Sequence, residues 1–248
     1  MTRSSTVFSP RPKPDGSFAD DEADAPRETV ILLHGWGRTS FSMRRIEKYL
    51  QGRGYGTYNL GYPTLSEPID ALADKYLERA VSACLAGNSP RIHFVAHSLG
   101  GIVVRCYLQN RHPPPGGRLV MLSPPNRGTE VVDFLARMPW LPRLAGPAGR
   151  ALGTGPESLP RRLKPVGLEI GVIAGDRSIN PLFSALIRGP DDGTVSVENT
   201  KLEEMKDFLI IPCSHTFIMR SLLAARQAAH FLESGHFDRG PIARGPAG

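Results

Sequence analysis

The feature that most constrains the fold is a junction at residues 95–101, which read VAHSLGG. An apolar run at residues 91–96 is typical of a buried strand, and residues 102–108 continue at once with the apolar spacing of a helix. A strand that becomes a helix within one residue places Ser98 in a strained backbone conformation, and small neighbours are needed for the two elements to approach each other. We therefore expect Ser98 to project out of the sheet, with the helix N-terminus directly behind it.

This junction fits the G-x-S-x-G nucleophile elbow, with Ala96 in place of the first glycine. Taken alone, it also fits a glycine-rich strand–helix junction whose serine only caps the helix. Segments elsewhere in the chain favour the first interpretation.

Strand-like and helix-like segments alternate along the chain. Six apolar runs are typical of strands, at residues 29–33, 55–62, 91–96, 119–122, 169–174 and 208–211. Helical spacing is clearest at residues 69–85 and in a closing helix at 216–232. The alternation predicts an α/β fold with a six-stranded, mostly parallel sheet, helices on both faces and no large lid domain. We expect a poorly ordered leader at residues 1–27, one domain at 28–233 and a loose tail at 234–248.

The composition is that of an ordinary globular chain, with 40% hydrophobic and 22% charged residues among 248. No run reaches the roughly eighteen apolar residues of a membrane span, and no secretory signal is visible at the N-terminus. Cys84, Cys106 and Cys213 lie far apart in apolar segments, so we expect free thiols in a reducing cytoplasm. The net charge of +6 comes from scattered lysines and arginines, which predicts no nucleic-acid binding and at most weak contact with a membrane surface.

Polar residues suited to nucleophilic catalysis follow these strands, at the sheet edge where ligands bind in parallel sheets. A serine hydroxyl needs a base that takes its proton, and the base needs an acid that orients it. His215 follows the last strand and Asp192 precedes it, so the order Ser98, Asp192, His215 is the one expected for a nucleophile elbow in such a sheet. We predict these residues as nucleophile, acid and base.

An attacked carbonyl develops negative charge, which two prepositioned N–H donors stabilise. The backbone N–H of Leu99 begins the elbow helix. The backbone N–H of Trp36 lies in the turn at residues 34–37, after the first strand. We predict these two N–H groups as the oxyanion hole.

Three aspartates compete for the role of the acid. Asp176 follows its strand almost directly, and Asp191 is the neighbour of Asp192. We prefer Asp192, because Gly193 permits a tight turn and Val195 can anchor the loop in the core. The alternative is that Asp191 and Asp192 belong to a solvated turn, with Asp176 as the acid.

The remaining histidines have structural explanations. We expect His34 in a turn and His97 packed against the sheet. The others lie on the elbow strand, in a proline-rich loop and near the C-terminus: His93, His112, His230 and His236. No two histidines are spaced i, i+4 on a predicted helix, since His93 and His97 lie on the elbow strand, and no cysteine pair has metal-ligand spacing, so we expect no metal.

The ordered motifs resemble the α/β-hydrolase fold and, within it, compact bacterial lipases and esterases. The resemblance spans residues 28–233 and rests on HGWG at 34–37, AHSLGG at 96–101, DGTV at 192–195 and the His215 segment. Ala96 departs from the general elbow, although related bacterial lipases carry the same variant.

The resemblance implies an enzyme without a cofactor that cleaves small-molecule or lipid carboxylic esters through an acyl-Ser98 intermediate. Two alternatives remain. Acyl transfer to an alcohol or thiol uses the same residues, and a fold of this type can also serve as a non-catalytic binding domain.

An insertion between strands 119–122 and 169–174 bears on substrate size. It carries the apolar residues Phe134, Leu135, Met138, Trp140, Leu141 and Leu144. The insertion either walls the site or forms an ordinary crossover helix buried against the sheet. It is too short for a large lid, so we expect an open site that prefers short to medium acyl esters.

Overall fold

The computed structural model describes residues 27–138 and 141–240. Six strands form one sheet: β1 (Thr29–Leu33), β2 (Gly56–Leu60), β3 (Ile92–His97), β4 (Arg118–Leu122), β5 (Glu169–Gly175) and β6 (Asp207–Ile211). Their order is β2-β1-β3-β4-β5-β6, and every neighbouring pair is parallel. The predicted six-stranded α/β fold is confirmed.

The helices connect these strands. They are α1 (Arg44–Gln51), α2 (Ile69–Ala71), α3 (Glu78–Ala86), α4 (Leu99–Tyr107), α5 (Glu130–Ala136), α6 (Leu141–Arg150), α7 (Leu159–Arg162), α8 (Pro181–Ser184) and α9 (Leu222–Ser234). A π-helical segment, Leu72–Leu77, joins α2 to α3. Within the described ranges, no helix is long and apolar enough to cross a membrane.

Two apolar cores cover the two faces of the sheet. On one face Phe94 and Leu119 pack with residues of α2, α3 and α4, and on the other Val95 and Val120 pack with residues of α1 and α9. Because β3 lies between helices on both faces, all six of its residues are buried, which explains its continuous apolar run. The edge strands β2 and β6 are only partly buried.

The junction between β3 and α4 holds Ser98 in a strained conformation. Its φ of 52° and ψ of −121° lie outside the helical region. A Cβ on Gly100 would lie 2.8 Å from Leu33 Cβ and 2.9 Å from the Leu33 carbonyl oxygen, so only glycine lets α4 come this close to β1. The Ser98 N–H donates to the Leu122 carbonyl at 2.9 Å and ties the junction to β4.

The last part of the chain differs from the sequence expectation in two places. The predicted helix at 216–232 begins later, because Ser221 is extended and its side chain accepts a hydrogen bond from the Ala224 N–H at 3.2 Å. The predicted loose tail is packed on the domain at Phe237, which is only 2% exposed and lies against Phe231, with ring centroids 5.1 Å apart. Burial of this aromatic ring accounts for the difference. The predicted leader, apart from residue 27, and residues 241–248 lie outside the described residues.

Candidate active site

Three side chains from separate loops meet at the carboxyl end of the sheet. His215 Nε2 lies 3.0 Å from Ser98 Oγ, and His215 Nδ1 lies 2.8 Å from Asp192 Oδ2. The His215 backbone N–H also donates to the Asp192 carbonyl at 2.9 Å, which joins the two loops directly. The structure thus brings together the residues that the sequence analysis named as nucleophile, acid and base.

The loop that carries Asp192 is closed by its own backbone. The N–H groups of Thr194 and Val195 donate to Asp192 Oδ1 at 3.0 and 2.8 Å. Gly193 has a φ of 92°, and Val195 is 1% exposed and anchors the loop in the interior. Because Oδ1 is occupied by these donors, Oδ2 is oriented toward His215.

The other two aspartates have different partners. Asp191 Oδ1 accepts hydrogen bonds from Ser184 Oγ and from the Gly193 N–H, both at 2.7 Å. Asp176 faces Arg177 at 3.5 Å. Within the described residues, neither carboxylate contacts His215.

The turn after β1 lies directly against the nucleophile elbow. A Cβ on Gly35 would lie 3.1 Å from Ser98 Cβ and 2.7 Å from His97 Nδ1. In the described part of the chain, the backbone N–H groups of Trp36 and Leu99 donate to no protein acceptor. Two unpaired donors at such a junction are available to an oxygen atom of a ligand.

His34 holds this turn in place. Its buried ring stacks on Tyr62, with centroids 4.2 Å apart and planes 18° apart. The Tyr62 hydroxyl donates to the His34 carbonyl, and the Gly37 N–H donates to Thr64 Oγ1 at 3.0 Å. Burial lowers the pKa of His34, so the neutral ring serves the turn rather than proton transfer.

The position of His97 was not foreseen. Instead of packing only against the sheet, it contacts His215: the ring centroids lie 4.9 Å apart, and His97 Nε2 lies 3.1 Å from the His215 carbonyl oxygen. Burial, and then electrostatic repulsion between the two rings, hold the pKa of His97 well below its usual range. A neutral His97 donates through Nε2 to that carbonyl. No local pattern predicts this contact, because 118 positions separate the two residues.

A cavity of about 440 Å³ opens beside Ser98. Its apolar lining includes residues of α5, a residue just after α6 and a residue of α8: Val131, Val132, Leu135, Leu152 and Phe183. Thr129 begins this wall, since its Oγ1 accepts from the Val131 N–H at 3.2 Å and donates to the Thr194 carbonyl. The insertion therefore walls the site, which was one of the two alternatives.

Sequence reasoning found only part of this wall. Leu135 was foreseen as a wall residue, whereas Phe134 and Met138 do not line the cavity. Trp140 and the side chains of Leu141 and Leu144 lie outside the described part of the chain. Val131 and Val132 were missed; the N-cap residue Thr129 before an apolar helix is the signal that could have indicated them.

Metal binding has no support in this region. Among residues 27–138 and 141–240, no group of three histidine, cysteine, aspartate or glutamate side chains is placed to hold an ion. The three cysteines are free thiols.

A family model described as "Alpha/beta hydrolase family" matches residues 30–238. The chain belongs to the alpha/beta hydrolase family. Membership supports a hydrolase activity for the site around Ser98. No curated protein sequence matches this alpha/beta hydrolase.

Solved structures share the fold of this alpha/beta hydrolase at low identity. A mature lipase from Bacillus licheniformis is 17% identical, with a TM-score of 0.63 over 85% of this chain and 92% of the lipase. A monoacylglycerol lipase from Paleococcus ferrophilus is 16% identical, with a TM-score of 0.53 over 82% of this chain and 93% of that one. Phospholipase PlaB from Legionella pneumophila is 19% identical, with a TM-score of 0.64 over 82% of this chain and 56% of the phospholipase.

Proposed function

We propose that this alpha/beta hydrolase cleaves carboxylic esters through an acyl-serine intermediate on Ser98. The observation that carries the proposal is the continuous hydrogen-bonded chain from Ser98 Oγ through both ring nitrogens of His215 to buried Asp192. A neutral imidazole in this position accepts the serine proton at Nε2, while Asp192 fixes the tautomer that carries its proton on Nδ1. The lipase names of structural neighbours agree with an ester as substrate.

The reaction proceeds in two steps. Ser98 Oγ attacks the ester carbonyl and passes its proton to His215 Nε2, and the N–H groups of Trp36 and Leu99 stabilise the oxyanion. His215 then gives the proton to the departing alcohol, leaving the acyl group on Ser98. A water molecule, deprotonated by His215, attacks this ester and releases the carboxylic acid, and Ser98 regains its proton.

The apolar wall supports a preference for short to medium acyl chains. A volume of about 440 Å³ lies in the lower half of the range of roughly 300–1,000 Å³ typical of small-molecule sites. Val131, Val132 and Leu135 contact the space beside Ser98 in which the acyl group would lie.

Labelling with a fluorophosphonate tests the proposal, because this reagent modifies an activated serine covalently. We expect one modified peptide, carrying the label on Ser98, and no label in Ser98→Ala. On 4-nitrophenyl butanoate, Ser98→Ala lowers kcat by about 10⁶-fold, the order lost when a serine triad is broken. Ser82→Ala, on the exposed surface of α3, is the matched control and keeps both labelling and activity. Full activity of Ser98→Ala would refute the proposal.

A further inference from the structure

The charged side chains that line the cavity are all basic. They include Arg38 and Arg150, and among the described residues that line it there is no aspartate or glutamate. A cleft lined by charge of one sign focuses its potential and concentrates ligands of the opposite sign.

The two arginines lie on segments that contact each other beside the cavity. Arg38 follows Trp36 by two positions, and its N–H donates to the Gly35 carbonyl at 3.2 Å. Arg150 ends α6, and this helix contacts the Trp36 indole: Nε1 donates to the Ala145 carbonyl at 2.8 Å. The indole therefore joins the turn that carries Arg38 to the helix that carries Arg150.

Neither guanidinium group has a partner within the described residues. Both side chains are exposed, and no salt bridge or side-chain hydrogen bond of either one is found there, whereas Arg111, Arg118 and Arg127 each pair with a carboxylate. The positive charge of Arg38 also acts on the elbow. It helps to lower the pKa of His97, although burial and the neighbouring His215 lower it more. Both groups are thus free to meet an anion close to Ser98.

We propose that the cavity selects esters whose alcohol portion carries a negatively charged group, a phosphate or a carboxylate, which Arg38 and Arg150 bind. This inference rests on the proposed ester hydrolysis and specifies its substrate class. The apolar wall at Val131, Val132 and Leu135 takes the acyl chain. The exposed guanidinium groups at the Trp36 side then face the alcohol portion, and their planar donor pairs suit both phosphate and carboxylate oxygens.

Two matched pairs of water-soluble butanoates test this selection. In the phosphate pair, 1-butanoylglycerol 3-phosphate is compared with neutral 1-butanoylglycerol. In the carboxylate pair, 3-carboxy-4-nitrophenyl butanoate is compared with 4-nitrophenyl butanoate. Each ratio of kcat/KM, anionic over neutral, cancels any general loss of folded enzyme in a variant.

We expect a ratio above one for at least one pair in the wild-type enzyme, and a lower ratio at high salt because exposed charges are screened. Arg38→Gln and Arg150→Gln each lower that ratio by up to ~5-fold, the order of one exposed ion pair, and the double variant brings it close to one. Arg38→Lys retains more of the ratio than Arg38→Gln. Arg226→Gln removes an exposed arginine of α9 that does not line the cavity, and it leaves the ratio unchanged.

Two results would overturn the inference: ratios of one or less in the wild type for both pairs, or ratios that survive in the double variant. Ser98→Ala separates this failure from failure of the proposed function. One outcome is that Ser98→Ala abolishes hydrolysis of all four esters while the wild-type ratios are one or less. In that case the proposed ester hydrolysis stands and the inferred selection of anionic esters is wrong. If Ser98→Ala retains hydrolysis, both proposals are wrong.

Discussion

The sheet edge that carries the three site residues and the wall formed by α5 and α6 are held in different ways. At the sheet edge Ser98 and Asp192 are 6% and 1% exposed, and backbone hydrogen bonds lock their loops. The wall is joined to this edge by side-chain contacts such as Thr129 to the Thr194 carbonyl and the Trp36 indole to the Ala145 carbonyl. α6 itself is kinked at Gly146, where φ is 63°.

This difference suggests a division of roles. The reacting groups are placed by strands and tight loops that tolerate little displacement, since misplacement by about 1 Å can cost about 100-fold in rate. The wall is an insertion whose side chains set the shape of the cavity. We therefore expect substitutions at the sheet edge to act on kcat, and substitutions in the wall to act on the choice of substrate.

Replacing the acid is the most severe test of the sheet edge that leaves the nucleophile intact. Asp192→Asn keeps the shape of the side chain but no longer enforces the reactive tautomer of His215, so we expect kcat on 4-nitrophenyl butanoate to fall by about 10⁴-fold. Asp176→Asn, whose carboxylate faces Arg177, is the matched control and changes kcat little. A large loss of kcat in Asp176→Asn, together with a nearly wild-type kcat in Asp192→Asn, would show that Asp176 is the acid.

Displacing the elbow without touching a reacting group gives the next largest effect. In Gly35→Ala the new methyl group would meet the His97 ring at 2.7 Å and Ser98 Cβ at 3.1 Å, which shifts the turn away from the elbow. We expect kcat to fall by about 100-fold, with an unchanged far-ultraviolet circular dichroism spectrum. Gly155→Ala is the control, because a Cβ there meets nothing within 4 Å. Equal activities of the two variants would show that the turn is not rigid.

The sequence predicts the sheet edge better than it predicts the wall. The central strands are continuous apolar runs because both of their faces are buried, so β1 was predicted at its observed bounds, Thr29–Leu33. The sequence also indicated the elbow and the acid loop, since each has a glycine within two positions of its key residue: Gly100 after Ser98 and Gly193 after Asp192. These are local constraints that a short stretch of sequence records.

Features that depend on distant contacts were not predictable. The ring of His97 meets His215 across 118 positions, and Phe237 folds back on Phe231 although the surrounding residues are polar or glycine. The cavity wall combines α5 with Phe183 of α8, which lies about 50 positions later in the chain. Each of these contacts follows from packing in three dimensions, which leaves no periodic signal in the sequence.

The buried histidine beside the base predicts how stability depends on pH. Because the pKa of His97 is lower in the folded state, only the unfolded chain takes up a proton as the pH falls below the ordinary value of about 6.5. The free energy of unfolding therefore falls as the pH falls below this value, by at most about 1.4 kcal/mol per pH unit for this residue. Above it, His97 is neutral in both states and contributes no slope.

Urea unfolding between about pH 8 and pH 5 measures this slope. We expect His97→Gln, which retains an N–H donor for the His215 carbonyl, to show a flatter dependence below pH 6.5 than the wild type. Part of the slope remains in His97→Gln, because burial also lowers the pKa of His34 and of His93 in the folded state. His112→Gln, at an exposed position, is the control and leaves the slope unchanged. Identical slopes in His97→Gln and the wild type would contradict the assignment.

The smallest expected effect is on the wall, where a substitution should change which acyl chain is preferred. Leu135→Ala removes apolar volume from the cavity beside Ser98, so a longer chain gains room. Since each buried methylene contributes about 0.8 kcal/mol, roughly 4-fold in kcat/KM, we expect the ratio of octanoate to butanoate 4-nitrophenyl esters to rise several-fold. Arg137→Ala, one residue beyond α5 and outside the cavity lining, should leave this ratio unchanged. If both variants keep the wild-type ratio, or if wild-type activity rises steadily to long-chain triglycerides, the wall does not limit the acyl chain.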